Sequence, residues 1–447
     1  MASTDSSPRA PRLLLISYLF PPAGGIAVQR MLSVARYLPD LGFQVHVLSA
    51  SNPGVPTLDE KLLDSIPRQV RVTRVWSPEV PFALRQALWR MAGKKPGSTA
   101  GEPDPGQPPR SSFWKSVARR VFSPDPEVVW VPFARRAARR IVREQKIDVV
   151  VVSAPPFSSF MVGNALKEEF PSIRLVSDFR DEWLDFYLNT FEFYRHDSIR
   201  AKARVIEQET VRRSDLVLSI TGSCVKRIRG RYPDLPESRF RCLPNGFDPA
   251  AFEGFQARPH GGPRIRVAHV GTVYPTSTPR YYLDALESLE PGQRDVFETH
   301  FVGRITDQER PYLQGRSAHI VERGFVPQAE AIREMEQADV LLLNMTDPNF
   351  ASGKIFDYLA TGKPILAISP TGGEVDEVIR NTGAGWLADP SDPAALRRIL
   401  LEIIERARSG SLAGASLPEK VREFSRPVLA RRMASELQAL LSAPGVK

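Results

Sequence analysis

Apolar runs of strand length alternate with amphipathic helical stretches along most of this chain. RLLLISYLF reads as a buried strand; after two glycines, Val28, Met31, Leu32, Ala35 and Leu38 recur at helical spacing, and FQVHVLSA reads as a second strand. Strand, Gly-rich turn, helix and strand make a β-α-β unit whose turn lies at the carboxyl end of the first strand. DVVVVSAPPFSSF and RLVSDFRDEW are further strands, the latter running into a polar knot of Asp178, Arg180, Asp181, Glu182 and Trp183. DLVLSIT and RCLPNGFDPAAF follow, and PHGGPR at 259–264 has the composition of a linker. Beyond it, IRVAHVGTVY, VFETHFVGRI, AHIVERGFVP, ADVLLLNM and PILAI are strands separated by helical segments, which makes a second doubly wound unit. A periodic helix from Glu419 to Leu441 ends the pattern.

These boundaries predict a polar tail at 1–11, a first domain at 12–258, a second at 259–418 and a closing helical segment at 419–447. The stretch 93–110 is rich in Gly, Pro and Ser and reads as a mobile insertion in the first domain. Its flanks interleave aromatic and basic residues: Phe82, Trp89 and Arg90 before it, and Phe113, Trp114, Lys115, Arg119 and Arg120 after it. Residues 132–146 predict an amphipathic helix with Phe133, Ala137 and Ile141 on one face and five arginines on the other. Two readings fit it: a sheet-packing helix with a solvated Arg face, or a patch for an anionic membrane surface.

Composition narrows the classes. Hydrophobic residues at 42% and charged residues at 25% describe a globular chain, and no apolar run approaches the roughly 20 residues that span a bilayer. Two cysteines, Cys224 and Cys242, argue against a disulfide framework and fit a reducing cytoplasm. The net charge of +9 suits anionic partners such as nucleotide phosphates or lipid head groups. Zinc-ligand spacing, RNA-binding aromatic signatures and helix-turn-helix patterns are lacking, so no nucleic-acid partner is expected.

The most informative stretch is SGKIFDYLATGKPILAI, residues 352–368. Ile355, Phe356, Leu359 and Ala360 fall at helical spacing toward a core, which leaves Lys354 and Asp357 together on the solvent side of the first turn. A loop-to-helix entry presents free N–H groups and the positive end of a dipole. Lys354 would add a point charge for a phosphate, and Asp357 would accept hydrogen bonds from two vicinal hydroxyls. The plainer reading is a surface ion pair on an ordinary helix.

Lys-Ile-Phe-Asp-Tyr-Leu-Ala-x-Gly-Lys-Pro-Ile-Leu resembles the nucleotide-sugar site of GT-B glycosyltransferases, specifically the retaining family four. There a Glu holds the donor ribose where this chain has Asp357, and many members carry an earlier Glu where it has Asn349. Phe-Pro-Pro-x-Gly-Gly-x-x-x-x-Arg, Ala-Pro-Pro-Phe-Ser-Ser, Asp-Phe-Arg-Asp-x-Trp and Asn-Gly-Phe-Asp are similar to further family signatures, two of them from a subgroup acting on surface polysaccharides. The resemblance implies two Rossmann-like domains facing across a cleft, with a C-terminal helix crossing back. It implies donor contacts from Gly24, Gly25, Arg30, Gly271, Thr272, Arg280, Phe325, Val326, Lys354, Asp357, Gly373 and Glu374. Arg280 would reach the diphosphate, and Phe325 and Val326 the nucleobase. A His that other members carry near the end of the first domain's donor-facing strand has no equivalent here, so Asp178 or Arg180, with Asp181, inherits the catalytic role.

The expected activity is sugar transfer from a nucleotide-diphosphate sugar, the only co-substrate, to a glycan or lipid-linked acceptor, on the inner face of a membrane. No Asp-x-Asp motif occurs, so no metal or other cofactor is expected. Two alternatives stand beside it: a non-catalytic sugar-nucleotide-binding or scaffold protein of a polysaccharide assembly complex, and a nucleotide-sugar epimerase, which shares the GT-B fold.

Overall fold

Parallel strands buried on both faces need continuous apolar sequence, and Val149–Ala154 (VVVVSA) and Val340–Asn344 (VLLLN) are buried at every position. Each lies at the centre of its own parallel sheet. A computed structural model describes residues 9–54, 58–78, 122–190, 196–257, 261–349, 352–412 and 419–443. Its contacts form two compact units, one of Met1–Leu243 with Ala430–Lys447 and one of Pro244–Leu429.

The first unit contains β1 (Arg12–Ser17), β2 (Gln44–Ala50), β3 (Arg71–Val75), β4 (Val149–Ala154), β5 (Arg174–Phe179), β6 (Leu216–Ser219) and β7 (Phe240–Cys242). Their order in the sheet is β3-β2-β1-β4-β5-β6-β7. The helices are α1 (Ile26–Tyr37), α2 (Val131–Gln145), α3 (Ser159–Glu169), α4 (Asp197–Arg213) and α5 (Gly222–Arg231). The second unit contains β8 (Ile265–Val270), β9 (Phe297–Val302), β10 (His319–Gly324), β11 (Val340–Asn344), β12 (Ile365–Ile368) and β13 (Gly385–Ala388), ordered β10-β9-β8-β11-β12-β13. Its main helices are α6 (Arg280–Glu287), α7 (Gln328–Gln337), α8 (Lys354–Thr361), α9 (Glu374–Thr382) and α10 (Pro393–Arg408). Strand order reverses between β1 and β4 in one sheet and between β8 and β11 in the other, and open parallel sheets bind ligands outside the carboxyl ends of strands at such a point. The turn Gly24–Gly25 follows β1, and the turn Gly271–Thr272 follows β8.

Three features differ from the sequence expectation. The units divide at Leu243/Pro244 and not at 258/259, because Phe247 donates its amide to the Phe424 carbonyl and packs into the second unit's core. The closing helical segment is broken: a short turn at Glu419–Arg422 precedes α11 (Arg426–Ser442), which belongs to the first unit from Ala430 onward. On α2 the buried stripe is Val131, Ala134, Ala138, Ile141 and Val142, while Phe133 is 43% exposed and meets exposed Trp76 edge to face. The insertion at 93–110 and its flanking aromatic and basic residues lie outside the described residues. No helix among the described residues is long and apolar enough to cross a membrane.

Candidate functional site

Helix α8 begins at the carboxyl-end side of the second sheet. Ile355, Phe356, Tyr358, Leu359, Ala360 and Thr361 are all buried, so this short helix is apolar nearly all round, and Gly362 at φ 65° ends it. The Tyr358 hydroxyl accepts from the Val270 amide at 2.7 Å and ties α8 to the end of β8. With the rest of the helix embedded, the first turn is less exposed than expected: Lys354 and Asp357 are half-buried and do not pair with each other.

Lys354 points inward. Its Nζ lies 3.2 Å from His269 Nε2 and 3.3 Å from Ser277 Oγ. Gly271 makes room for it, since a Cβ there would stand 3.1 Å from Lys354 Cε, and the Gly271 φ of 131° disfavours any side chain. Burial brings the Lys354 pKa down to about 7. His269 is fully buried, and its Nδ1 lies 3.1 Å from the Leu342 carbonyl, which can only accept. With its proton on Nδ1 the ring donates to that carbonyl and leaves Nε2 to accept from the lysine. Burial, then the neighbouring Lys354 charge, holds His269 well below the usual histidine range, against the pull of the Leu342 and Thr272 backbones. Asp357 is pushed up to about 6 by burial, opposed by Arg426. Arg426 in turn donates to the Gly246 carbonyl at 3.2 Å, so the Asn-Gly-Phe-Asp turn supports the neighbourhood of Asp357. Asp357 accepts no hydrogen bond among the described residues.

The other expected donor residues of this unit are spread around the same sheet. Arg280 is half-exposed at the start of α6, 3.6 Å from Asp284 and with its guanidinium over the Tyr312 ring, and it is not brought to Lys354. Thr272 is exposed. Phe325 is 82% exposed just past β10, with Val326 half-buried beside it. Gly373 packs so tightly that a Cβ would stand 2.7 Å from the Pro348 carbonyl, which already accepts from the Glu374 amide at 2.8 Å. The first turn of α9 also carries Glu374, Asp376 and Glu377, so this helix start is partly satisfied and acidic. Asn349 folds back onto Asp347, its amide 2.8 Å from Oδ1.

In the first unit, two residues expected in different roles form one ion pair. Arg30 on α1 clamps Asp178 at the end of β5, with Nη2 2.7 Å from Oδ1 and Nε 3.1 Å from Oδ2, and Ser153 donates at 2.8 Å. Both side chains are buried. Arg180 is buried against the Ala154 and Pro155 carbonyls, and burial draws its pKa down. Glu182 caps the turn at Trp183–Tyr187 and binds Arg231, which also holds Asp185 and the fully buried Glu207. Trp183 stacks on Phe157 at 4.4 Å, locking Asp-Phe-Arg-Asp-x-Trp to Ala-Pro-Pro-Phe. Most of the polar knot is thus committed to structure. Asp181 differs: it is half-buried without a hydrogen bond among the described residues, and burial raises its pKa against the pull of Arg180. Gly25 stands before α1 with φ 94° and Gly24 beside it, and no side chain caps that helix.

His269, Ser277, Arg231 and Arg426 were not anticipated. His269 had one signal, a lone histidine at an apolar-flanked position in the strand IRVAHV. The others are recruited from far along the chain.

Residues 99–251 match the family model "Glycosyltransferase Family 4", and residues 264–406 match "Glycosyl transferases group 1". The chain carries two glycosyltransferase family domains. It is 31% identical over 144 residues to the probable glycosyltransferase WbjE of Pseudomonas aeruginosa, a match covering 31% of this chain and 36% of that protein. It is 29% identical over 123 residues to the amylovoran biosynthesis glycosyltransferase AmsK of Erwinia amylovora, covering 26% of this chain and 30% of that protein. Both matches thus span about a third of the relative's length. The crystal structure of HepE from Anabaena in complex with UDP and glucose superposes with a TM-score of 0.60 at 14% identity, over 96% of this chain and 99% of that one. The shared architecture is GT-B, two Rossmann-like domains each on a parallel sheet.

Proposed function

We propose that this protein moves a sugar from a nucleotide-diphosphate sugar to a precursor of a surface polysaccharide or lipid-linked glycan, with retention of anomeric configuration and without a metal. The observation that carries the reading is the pair Lys354 and Asp357 at the switch point of the second sheet, within the stretch matching a glycosyltransferase family model. Lys354 would neutralise the departing diphosphate, and charge stabilised at that position lowers the barrier to leaving-group departure. Asp357, with no hydrogen bond of its own, would take the ribose hydroxyls. Of the three residues expected to be catalytic, Asp181 would carry the role, because Asp178 and Arg180 are already committed. The HepE complex with UDP and glucose and the amylovoran role in the name of AmsK support the donor and acceptor classes.

The test is incubation with radiolabelled nucleotide sugars, with and without lipid-linked glycans. Slow release of free sugar and acceptor-dependent transfer are expected, and the anomeric proton of the product read by NMR reports the stereochemistry. An isomerised donor would replace the reading with an epimerase. Intact donor throughout would favour a sugar-nucleotide-binding protein, the alternative favoured by Asn349 being turned onto Asp347.

A further inference from the structure

Lys354 ends in an ammonium with three donors on a flexible stem, and two of those donors have acceptors set in the fold. His269 Nε2 lies 3.2 Å from Nζ, and Ser277 Oγ lies 3.3 Å from it. These acceptors come from separate segments, β8 and the turn before α6, and both residues are fully buried. Strand β11 anchors each of them. Its Leu342 carbonyl lies 3.1 Å from His269 Nδ1, and just past the strand the Thr346 amide donates at 2.9 Å to the Thr276 carbonyl, one residue before Ser277. Gly271 leaves room for the stem, since a Cβ there would stand 3.1 Å from Lys354 Cε. Among the described residues no third acceptor meets Nζ. Lone pairs aimed at an ammonium stabilise its charged form and fix its place.

We propose that His269, with Ser277, is a positioning residue for donor binding: the two hold the Lys354 ammonium at the end of β8 so that its remaining proton meets the diphosphate of a nucleotide sugar. The inference rests on the donor reading given above. An unheld lysine would lose its side-chain freedom at every binding event, whereas here the fold has already ordered it. A neutral imidazole suits this task better than a carboxylate. It accepts from the ammonium without cancelling the charge, which stays available to the phosphates. Burial, then the Lys354 charge, holds the ring below the usual histidine range and so keeps it an acceptor.

The experiment is a double-mutant cycle read by calorimetric titration with UDP-, GDP-, ADP- and dTDP-glucose. His269→Leu should weaken binding of the donor that the wild type takes by about three- to tenfold, the range of one lost hydrogen bond. His269→Gln keeps an acceptor near the Nε2 position and should recover most of that loss. In a Lys354→Ala background His269→Leu should change nothing further, because the histidine acts only through the lysine. A purely structural histidine would weaken binding alike in both backgrounds. Ser277→Ala should follow the same cycle, and it carries the test if the melting curve shows that His269→Leu does not fold. Equal weakening in both backgrounds, no weakening in either, or a glutamine variant no better than leucine overturns the inference and leaves the donor reading standing. Failure of every nucleotide sugar to bind the wild type defeats the donor reading and the inference together.

Discussion

Replacing Arg30 by methionine should destabilise the first unit by about 3–5 kcal/mol, the usual consequence of removing one partner from a buried ion pair. The geometry sets the size. Arg30 reaches both carboxylate oxygens of Asp178, the two side chains are 8% and 1% exposed, and after the change Asp178 keeps the Ser153 hydroxyl as its side-chain hydrogen-bond donor, with the buried Arg180 charge nearby. An exposed pair of the same geometry would be worth less than about 1 kcal/mol. Trp130 and Trp183 are fully buried in this unit, so their fluorescence follows its unfolding in urea. With a denaturant slope of about 3 kcal/mol per molar, the midpoint should fall by about 1–1.7 M. The double change Arg30→Met with Asp178→Leu should recover most of that loss, because no charge is then left unpaired. A midpoint shift below about 0.3 M, or a double variant as unstable as the sum of the singles, would refute the structural assignment. Asp178 would then be free for chemistry.

The remaining expectations concern the second unit and the acceptor side. Lys354→Ala should weaken nucleotide-sugar binding about 10- to 100-fold, the worth of a charge-assisted hydrogen bond, whereas Arg280→Ala should change it less than about threefold; calorimetry with the preferred donor measures both. Asp357→Ala should bind ribo- and 2′-deoxyribonucleotides equally if the wild type prefers the former, and competition titrations compare them. Gly246→Ala should lower the melting temperature of the second unit and impair its soluble expression, because a Cβ would stand 2.1 Å from the Phe424 carbonyl; scanning calorimetry reads the loss. Sedimentation with anionic vesicles at low salt should carry the protein down and release it as salt rises, and a protein that stays in the supernatant removes the membrane from the proposal.

What the sequence showed and what it hid follow from the range of each interaction. The β-α-β order, the Gly turns after β1 and β8, and the motif around α8 are local, and their periodicity and turn residues survive reading in one dimension. Partners distant in the chain do not. Nothing local joins α1 to β5, so the pairing of Arg30 with Asp178 is invisible in one dimension. Helical spacing alone puts the lysine of α8 on the solvent side, and only the third dimension sets His269 and Ser277 beneath it. Helix α2 was misphased for a different reason. Its buried stripe uses Ala134 and Ala138, whose apolar signal is weak, while the larger Phe133 finds Trp76 from another segment.

The helix α11 carries a consequence for biosynthesis. Met433, Ala434 and Leu437 are buried in the first unit, and Glu436 pairs with Arg241 at 3.3 Å, yet these residues leave the ribosome after the whole of the second unit. Roughly 190 residues separate Leu243 from this closing helix, about 10–40 s of translation. Throughout that interval the nascent first unit has its sheet but lacks the segment that covers part of it. The side chains that α11 buries are apolar, so the first unit lacks part of its apolar burial until this helix arrives. A fragment ending near Leu243 should therefore aggregate unless the peptide 426–443 is supplied in trans, whereas the inserted second unit can complete its own core before release.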